Sequence, residues 1–190
     1  RLRWNWRLDP ALYPEWPAMV TGLGKQDVRV LTYLNTFLTK NDSDPTCRYT
    51  EALRRHALLY TDSHKGAGQE EVPVIITSGP GLTAGVLDLT SSRGMEYAEG
   101  IILDALATGS SGWMADFGEY VPLDSKPQSG ESATAVHNAY PLLWQQANAR
   151  AVNASARSED DTPVWFARSS GLTSPGTTPL FWLGDQLHSW

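Results

Sequence analysis

Short apolar runs alternate with segments of helical spacing along nearly the whole of this chain, and that alternation limits the possible folds more than any other feature. "DVRVLTYLN" (27–35) is rich in β-forming residues, lies between "GLGK" and the polar "TKNDSDPT", and reads as a buried strand ending near Asn35. "TCRYTEALRRHALLY" follows with helical spacing and with Thr46 or Thr50 as its N-cap. "EVPVIITSGPGLTAGVLDLT" is strand-like with Gly/Pro punctuation, an irregular loop that delivers a short strand at "GVLDL". "SRGMEYAEGIILDALATG" reads as an amphipathic helix closing at Gly109, and "GWMAD" as a short strand whose last residue is Asp116. "ESATAVHNAYPLLWQQANARAVNASAR" is a long helix or a helix pair broken near Pro141. "DTPVWFAR" (161–168) and "PLFWLGD" (179–185) are further strands, separated by a Gly/Ser/Pro loop.

Strands alternating with helices predict a parallel sheet with the helices outside. Read to their C-terminal ends, four successive candidate strands finish on Asn35, Asp116, Arg168 and Asp185. In a (β/α)8 TIM barrel those ends form the active-site face. A doubly wound sheet would also bind its ligand there, but the chain has no G-x-G-x-x-G or Walker pattern to hold phosphate. A closed barrel takes about 250 residues. With only four or so strands, the 190 residues are expected to form part of such an α/β barrel, incomplete at both ends, as one partial catalytic domain over residues 1–190. The start on Arg1 and the close on "GDQLHSW" lead to the same expectation of a fragment, one prone to aggregate through unpaired strand edges.

The formal net charge of -6, without any Lys/Arg cluster, argues against nucleic acid as a partner and leaves a small neutral or singly charged ligand. No apolar run approaches the roughly 18 residues of a membrane helix. Cys47 is the single cysteine, so no intrachain disulfide forms, and no Cys/His set has zinc spacing. Eight Trp suit a packed core and also the apolar faces of sugar rings. Compartment and oligomeric state leave no mark in the sequence.

Two carboxylates, Asp116 and Asp185, are expected on one face with Arg168 on the strand between them. Glycoside hydrolysis uses such a pair, and carboxyl groups about 5 to 5.5 Å apart give retention of configuration. An adjacent arginine favours the ionised form of one acid, while repulsion between the two favours a proton on the other. The competing reading makes these residues helix caps and surface acids at strand ends. A Mg2+ carboxylate site is a weaker alternative, because no His joins the group. His137, in "HNAYP", reads as a helix-face histidine.

"GWMADFGEYVP" closely resembles the nucleophile motif of glycoside hydrolase family 31, in the form found in its sulfoquinovosidases, and "FARSSG…TPLFWLGDQ" resembles the two strands that follow it. "RLRWNW", "VLTYLN", "GVLDLT" and "HNAYPLLW" extend the resemblance over nearly the whole chain. It implies a (β/α)8 barrel enzyme that cleaves α-glycosides with retention, needing no cofactor. It further implies Asp116 as nucleophile, Asp185 as acid/base and Arg168 in the substrate subsite. In "R-x-x-W-N-W" the family's arginine and first tryptophan bind a sugar sulfonate; here these are Arg1 and Trp4. A guanidinium fork and a donor-only indole N–H match a permanent anion with three acceptor oxygens. The implied partner is thus a small-molecule α-glycoside carrying a sulfonate. Two features depart from the family: "LNT" stands where relatives have Asn-Pro, and the loop "TDSHKGAGQEEVPVIITSGPG" has an unexpected shape. Other readings are a different specificity in the family, for glucosides, galactosides or xylosides, and a non-catalytic sugar-binding relative.

Overall fold

Helix α1 (Trp16–Gly24) carries Pro17 in its first turn, where the missing N–H leaves no bond unmade. The structure, a computed structural model, describes residues 4–41, 43–62, 71–155 and 157–187. Strand β1 (Leu31–Leu34) stops before Asn35, and β2 (Phe37–Thr39) begins at once. Helix α2 (Arg48–Arg54) is shorter than its spacing predicts. Its N-cap is Cys47, whose side chain makes no capping hydrogen bond, so neither Thr46 nor Thr50 caps it. It ends where Ala57, Leu58 and Leu59 enter the core, with His56 turned to a φ of 53°. Burial of those three apolar groups outweighs the helical spacing.

Strand β3 (Tyr60–Asp62) follows, and the punctuated stretch becomes short antiparallel pieces: β4 (Glu71–Pro73), β5 (Ile75–Thr77) and β6 (Thr83–Val86). Residues 63–70 of the unusual loop lie outside the described residues. Helix α3 (Ser92–Ala107) has Ser91 as N-cap, accepting from the Gly94 amide at 3.1 Å, and buries Met95, Ala98, Ile101, Ile102 and Leu106 at spacings of three and four. Strand β7 (Gly112–Ala115) follows, then β8 (Ser125–Lys126) and helix α4 (Ala133–Ala154), which is N-capped by Ser132. The helix runs unbroken through Pro141. Tyr140, Pro141, Trp144 and Gln145 are all buried there, and the Tyr140 hydroxyl donates to the Leu87 carbonyl at 2.6 Å, so packing offsets the backbone bond that proline removes. Strands β9 (Val164–Ala167) and β10 (Leu180–Phe181) complete the chain.

One parallel sheet, in the order β1-β7-β9-β10, organises the molecule, with α3 and α4 packed against each other. Parallel pairing requires each strand to return through a long crossover, and helices α3 and α4 lie in two of them. Two small antiparallel sheets, β2-β6-β5 and β4-β3-β8, extend the fold beyond the ends of the parallel strands. Residues Trp113, Ala115, Trp165 and Ala167 form the buried side of the parallel sheet. The Trp113 indole donates to Asn148 of α4 at 2.5 Å, locking sheet to helix. On the opposite side Leu31, Tyr33, Val164 and Leu180 are exposed. Such an apolar face is what packs as the interior when a barrel closes. A cleft of about 570 Å³ runs beside β1, lined by Trp6, Trp16, Tyr33, Arg48 and Asp104 among others.

Candidate active site

The register of the parallel sheet decides what meets at its C-terminal edge. Leu34 pairs with Ala115 and Ala115 with Ala167, so Asn35, Asp116 and Arg168 emerge side by side. The ladder runs one step further: the Asp116 amide donates to the Leu34 carbonyl at 2.9 Å and that of Arg168 to Ala115 at 3.4 Å. Because alternate strand residues share a face, Tyr33, Asn35, Asp116 and Arg168 lie on the same side of the sheet.

Asp116 is buried, 6% exposed, and both its oxygens are engaged. Tyr33 donates a short hydrogen bond to Oδ2. Arg168 Nη1 lies 3.2 Å from Oδ1, an ion pair, and Oδ1 accepts no hydrogen bond among the described residues. Burial, and then the bond to Asp116, push the Tyr33 phenol well above its ordinary range, so it stays a neutral donor. Asn35 Nδ2 donates to the Tyr33 hydroxyl at 3.2 Å, and Asn35 Oδ1 accepts the Phe37 amide at 2.8 Å.

Arg168 is clamped on three sides. Its Nε donates to Glu119 Oε1 at 3.0 Å, Nη2 reaches the same oxygen, and the guanidinium carbon sits 4.1 Å from the centre of the Phe117 ring. Burial alone would lower its basicity. The Glu119 hydrogen bond and the charges of Asp116 and Glu119 outweigh that and raise it, so the guanidinium is held firmly as a cation. The loop between the two charges is shaped by Phe117, at a φ of 56°, and Gly118, at 104°. A Cβ on Gly118 would stand 2.7 Å from Ser169 Oγ and 3.1 Å from Trp144, so the close approach as well as the φ requires glycine. Ser169 donates to the Phe117 carbonyl at 2.7 Å, and Gln145 of α4 donates to the Ser169 carbonyl at 2.6 Å. The His137 ring, through Nδ1, meets the buried Val121 carbonyl at 2.7 Å, a structural contact under the same loop.

Asp116 and Arg168 are therefore brought together as the strand ends predict. Asp185 is not at a strand end: β10 stops at Phe181, and Asp185 is exposed on the coil beyond it. The ladder explains this, since the residue that continues it beside Arg168 is Trp182, whose amide donates to the Ala167 carbonyl at 3.0 Å. Among the described residues no hydrogen bond or ion pair joins Asp185 to Asp116 or Arg168. Trp4 is buried, its ring centre 5.3 Å from that of Phe37 and 5.9 Å from that of Phe117, while its indole N–H has no partner among the described residues. Arg1 lies outside the described residues. No group of three or more His, Cys, Asp or Glu among the described residues is placed to hold a metal ion.

Sequence reasoning missed Tyr33. The available signal was the strand period, which puts Tyr33 and Asn35 on one face of β1. The arrangement presents a carboxylate with one oxygen hydrogen-bonded, the other free of hydrogen bonds among the described residues, and a fixed cation alongside; a carboxylate so held can attack an electrophile.

Comparison with known proteins gives concordant results. Residues 2–190 match the Glycosyl hydrolases family 31 TIM-barrel domain. The sulfoquinovosidase of Agrobacterium fabrum is 33% identical over 188 residues, which cover 98% of this chain and 26% of that protein. The sulfoquinovosidase of Escherichia coli K12 is 29% identical over 191 residues, 100% of this chain and 26% of that protein. A solved structure of a GH31 family sulfoquinovosidase from E. rectale, in complex with the aza-sugar inhibitor IFGSQ, superposes with a TM-score of 0.82 at 32% identity, covering 98% of this chain and 26% of that one. The chain thus spans about a quarter of the length of these relatives.

Proposed function

The chain belongs to glycosyl hydrolase family 31, and on that premise we propose that it supplies part of the catalytic face of a retaining α-glycosidase acting on an α-sulfoquinovoside. The observation that carries this reading is the buried Asp116, held between the Tyr33 hydroxyl and the Arg168 guanidinium at the sheet's C-terminal edge. Asp116 attacks the anomeric carbon to form a glycosyl ester. Asp185 protonates the departing oxygen and then takes a proton from the water that opens the ester. Its exposed coil leaves it free to meet a sugar placed over Asp116. Arg168, fixed by Glu119 and Phe117, contacts the sugar in the same subsite.

The sulfonate belongs to this reading through Arg1 and Trp4. The support is the similarity to sulfoquinovosidases over the whole chain and the indole N–H of Trp4, a donor with no partner among the described residues. A guanidinium facing a neutral sugar hydroxyl would lack its counter-charge, which disfavours glucosides.

In the full-length protein, Asp116→Asn keeps the shape of the side chain and removes its nucleophilic charge. Turnover of an aryl α-sulfoquinovoside is expected to fall by at least about a thousandfold. Substantial residual activity removes Asp116 from the role of nucleophile. Assay of the wild type on the matching aryl α-glucoside tests the sugar separately, and a preference for glucoside overturns the sulfonate assignment while leaving the mechanism standing.

A further inference from the structure

We infer that Tyr33 is a positioning residue that selects Oδ1 of Asp116 as the attacking oxygen and assists departure of that carboxylate in the second half of the reaction. The inference rests on the proposed glycosidase reading and adds a role to a residue outside the catalytic pair. A phenol has a single proton, so its direction matters. Here the direction is set by a chain of hydrogen bonds. The Phe37 amide occupies Asn35 Oδ1, which turns Asn35 Nδ2 towards the Tyr33 oxygen. Tyr33 accepts there, and its own proton is left to point at Asp116 Oδ2. That oxygen is occupied. Oδ1, with only the Arg168 ion pair among the described residues, keeps its lone pairs.

The two half-reactions then place different demands on Tyr33. In the first, Oδ1 bonds to the anomeric carbon while the bond to the leaving oxygen breaks and that oxygen receives the Asp185 proton. The Tyr33 bond stabilises the starting carboxylate, so it gives this step no help. In the second, water adds to the anomeric carbon, its proton passes to Asp185, and the electron pair of the ester bond returns to the carboxylate. The negative charge that reappears is shared with Oδ2, where Tyr33 already donates. A donor aimed at developing charge accelerates that step. Tyr33 keeps its proton throughout, as its partly buried, acid-paired phenol requires.

The test is Tyr33→Phe in the full-length protein, assayed on an aryl α-sulfoquinovoside with a good leaving group. The ring is retained, so packing changes little. Loss of a hydrogen bond to a charged group is expected to lower kcat about tenfold. KM should fall in parallel, kcat/KM should stay within about threefold of wild type, and a burst of aryl alcohol approaching one per active site should appear, because the ester accumulates. Asn35→Asp keeps an acceptor for the Phe37 amide but draws the phenol proton away from Asp116, and should show the same burst. If kcat and kcat/KM fall together in both variants with no burst, Tyr33 is only a structural neighbour and the inference fails while the glycosidase reading stands. If the wild type turns over neither aryl sulfoquinovoside nor aryl glucoside, the glycosidase reading fails and takes this inference with it.

Discussion

Arg168 shows how much of this site depends on one side chain having the right shape as well as the right charge. It pairs with Asp116, donates twice to one oxygen of Glu119 and lies over the Phe117 ring. A lysine is a point charge on a flexible stem and cannot do all three. Arg168→Lys in the full-length protein is therefore expected to lower kcat/KM by roughly a hundredfold with little change in melting temperature, as steady-state kinetics and a thermal melt would record. A loss of under about threefold would mean that charge alone suffices. Asp116 and Arg168 were legible in the sequence because both terminate strands, and strand ends can be read from apolar runs. Tyr33 was not, because its partner lies 83 residues away and only the register of β1 against β7 brings the two together. Asp185 was legible as a motif residue, yet its strand closes four residues earlier than the apolar run implies, at Phe181. Trp4 reads in the structure first as a member of the aromatic group around Phe37 and Phe117, its N–H without a partner among the described residues.

Elements were legible where one period dominated a stretch. The α3 spacing gave its helix, and "GWMA" and "VWFA" gave strands β7 and β9. Local signals misled where distant packing overrode them, as at the buried Ala57–Leu59 step that cuts α2 short and at Pro141, which α4 carries without a break. Close approach between elements was invisible to periodicity. Gly112 is the clearest case: an added Cβ would stand 1.8 Å from the Val164 carbonyl oxygen, inside the β7–β9 contact that sets Asp116 beside Arg168. Gly100, in the middle of α3, has nothing within 4 Å of such a Cβ. Gly112→Ala is expected to destabilise by about 3 kcal/mol or more, whereas Gly100→Ala should be neutral or stabilise by about 0.5 to 1 kcal/mol. Denaturant midpoints of the two variants would measure the contrast, and equal effects would show that the strands can separate to admit a methyl group.

Taken as a whole, the molecule keeps several tyrosines neutral inside its core. Burial foremost, and then the charge of Glu51, push Tyr97 up to about 12; burial raises Tyr140 further, with Asp88 nearby adding to it. The unfolded phenol titrates near pH 10. The folded state thus holds these protons more tightly than the unfolded chain, so the contribution to stability is complete below about pH 10 and is lost as pH rises through 12. Tyrosinate absorbance and far-ultraviolet circular dichroism should therefore change together on alkaline titration. Ionisation of Tyr97 and Tyr140 near pH 10 with the fold intact would contradict the assignment. The same interlocking has a consequence for divergence. The segment from Asp116 to Val121 is pinned by Ser169 on the Phe117 carbonyl, by the absent side chain of Gly118 and by His137 on Val121. Few substitutions there leave all three contacts intact, so inherited variation is expected to be filtered at that loop. A lineage adapting to another sugar, or a laboratory selection that asks for one, is expected to leave the segment from Asp116 to Val121 nearly unchanged and to find its variation elsewhere.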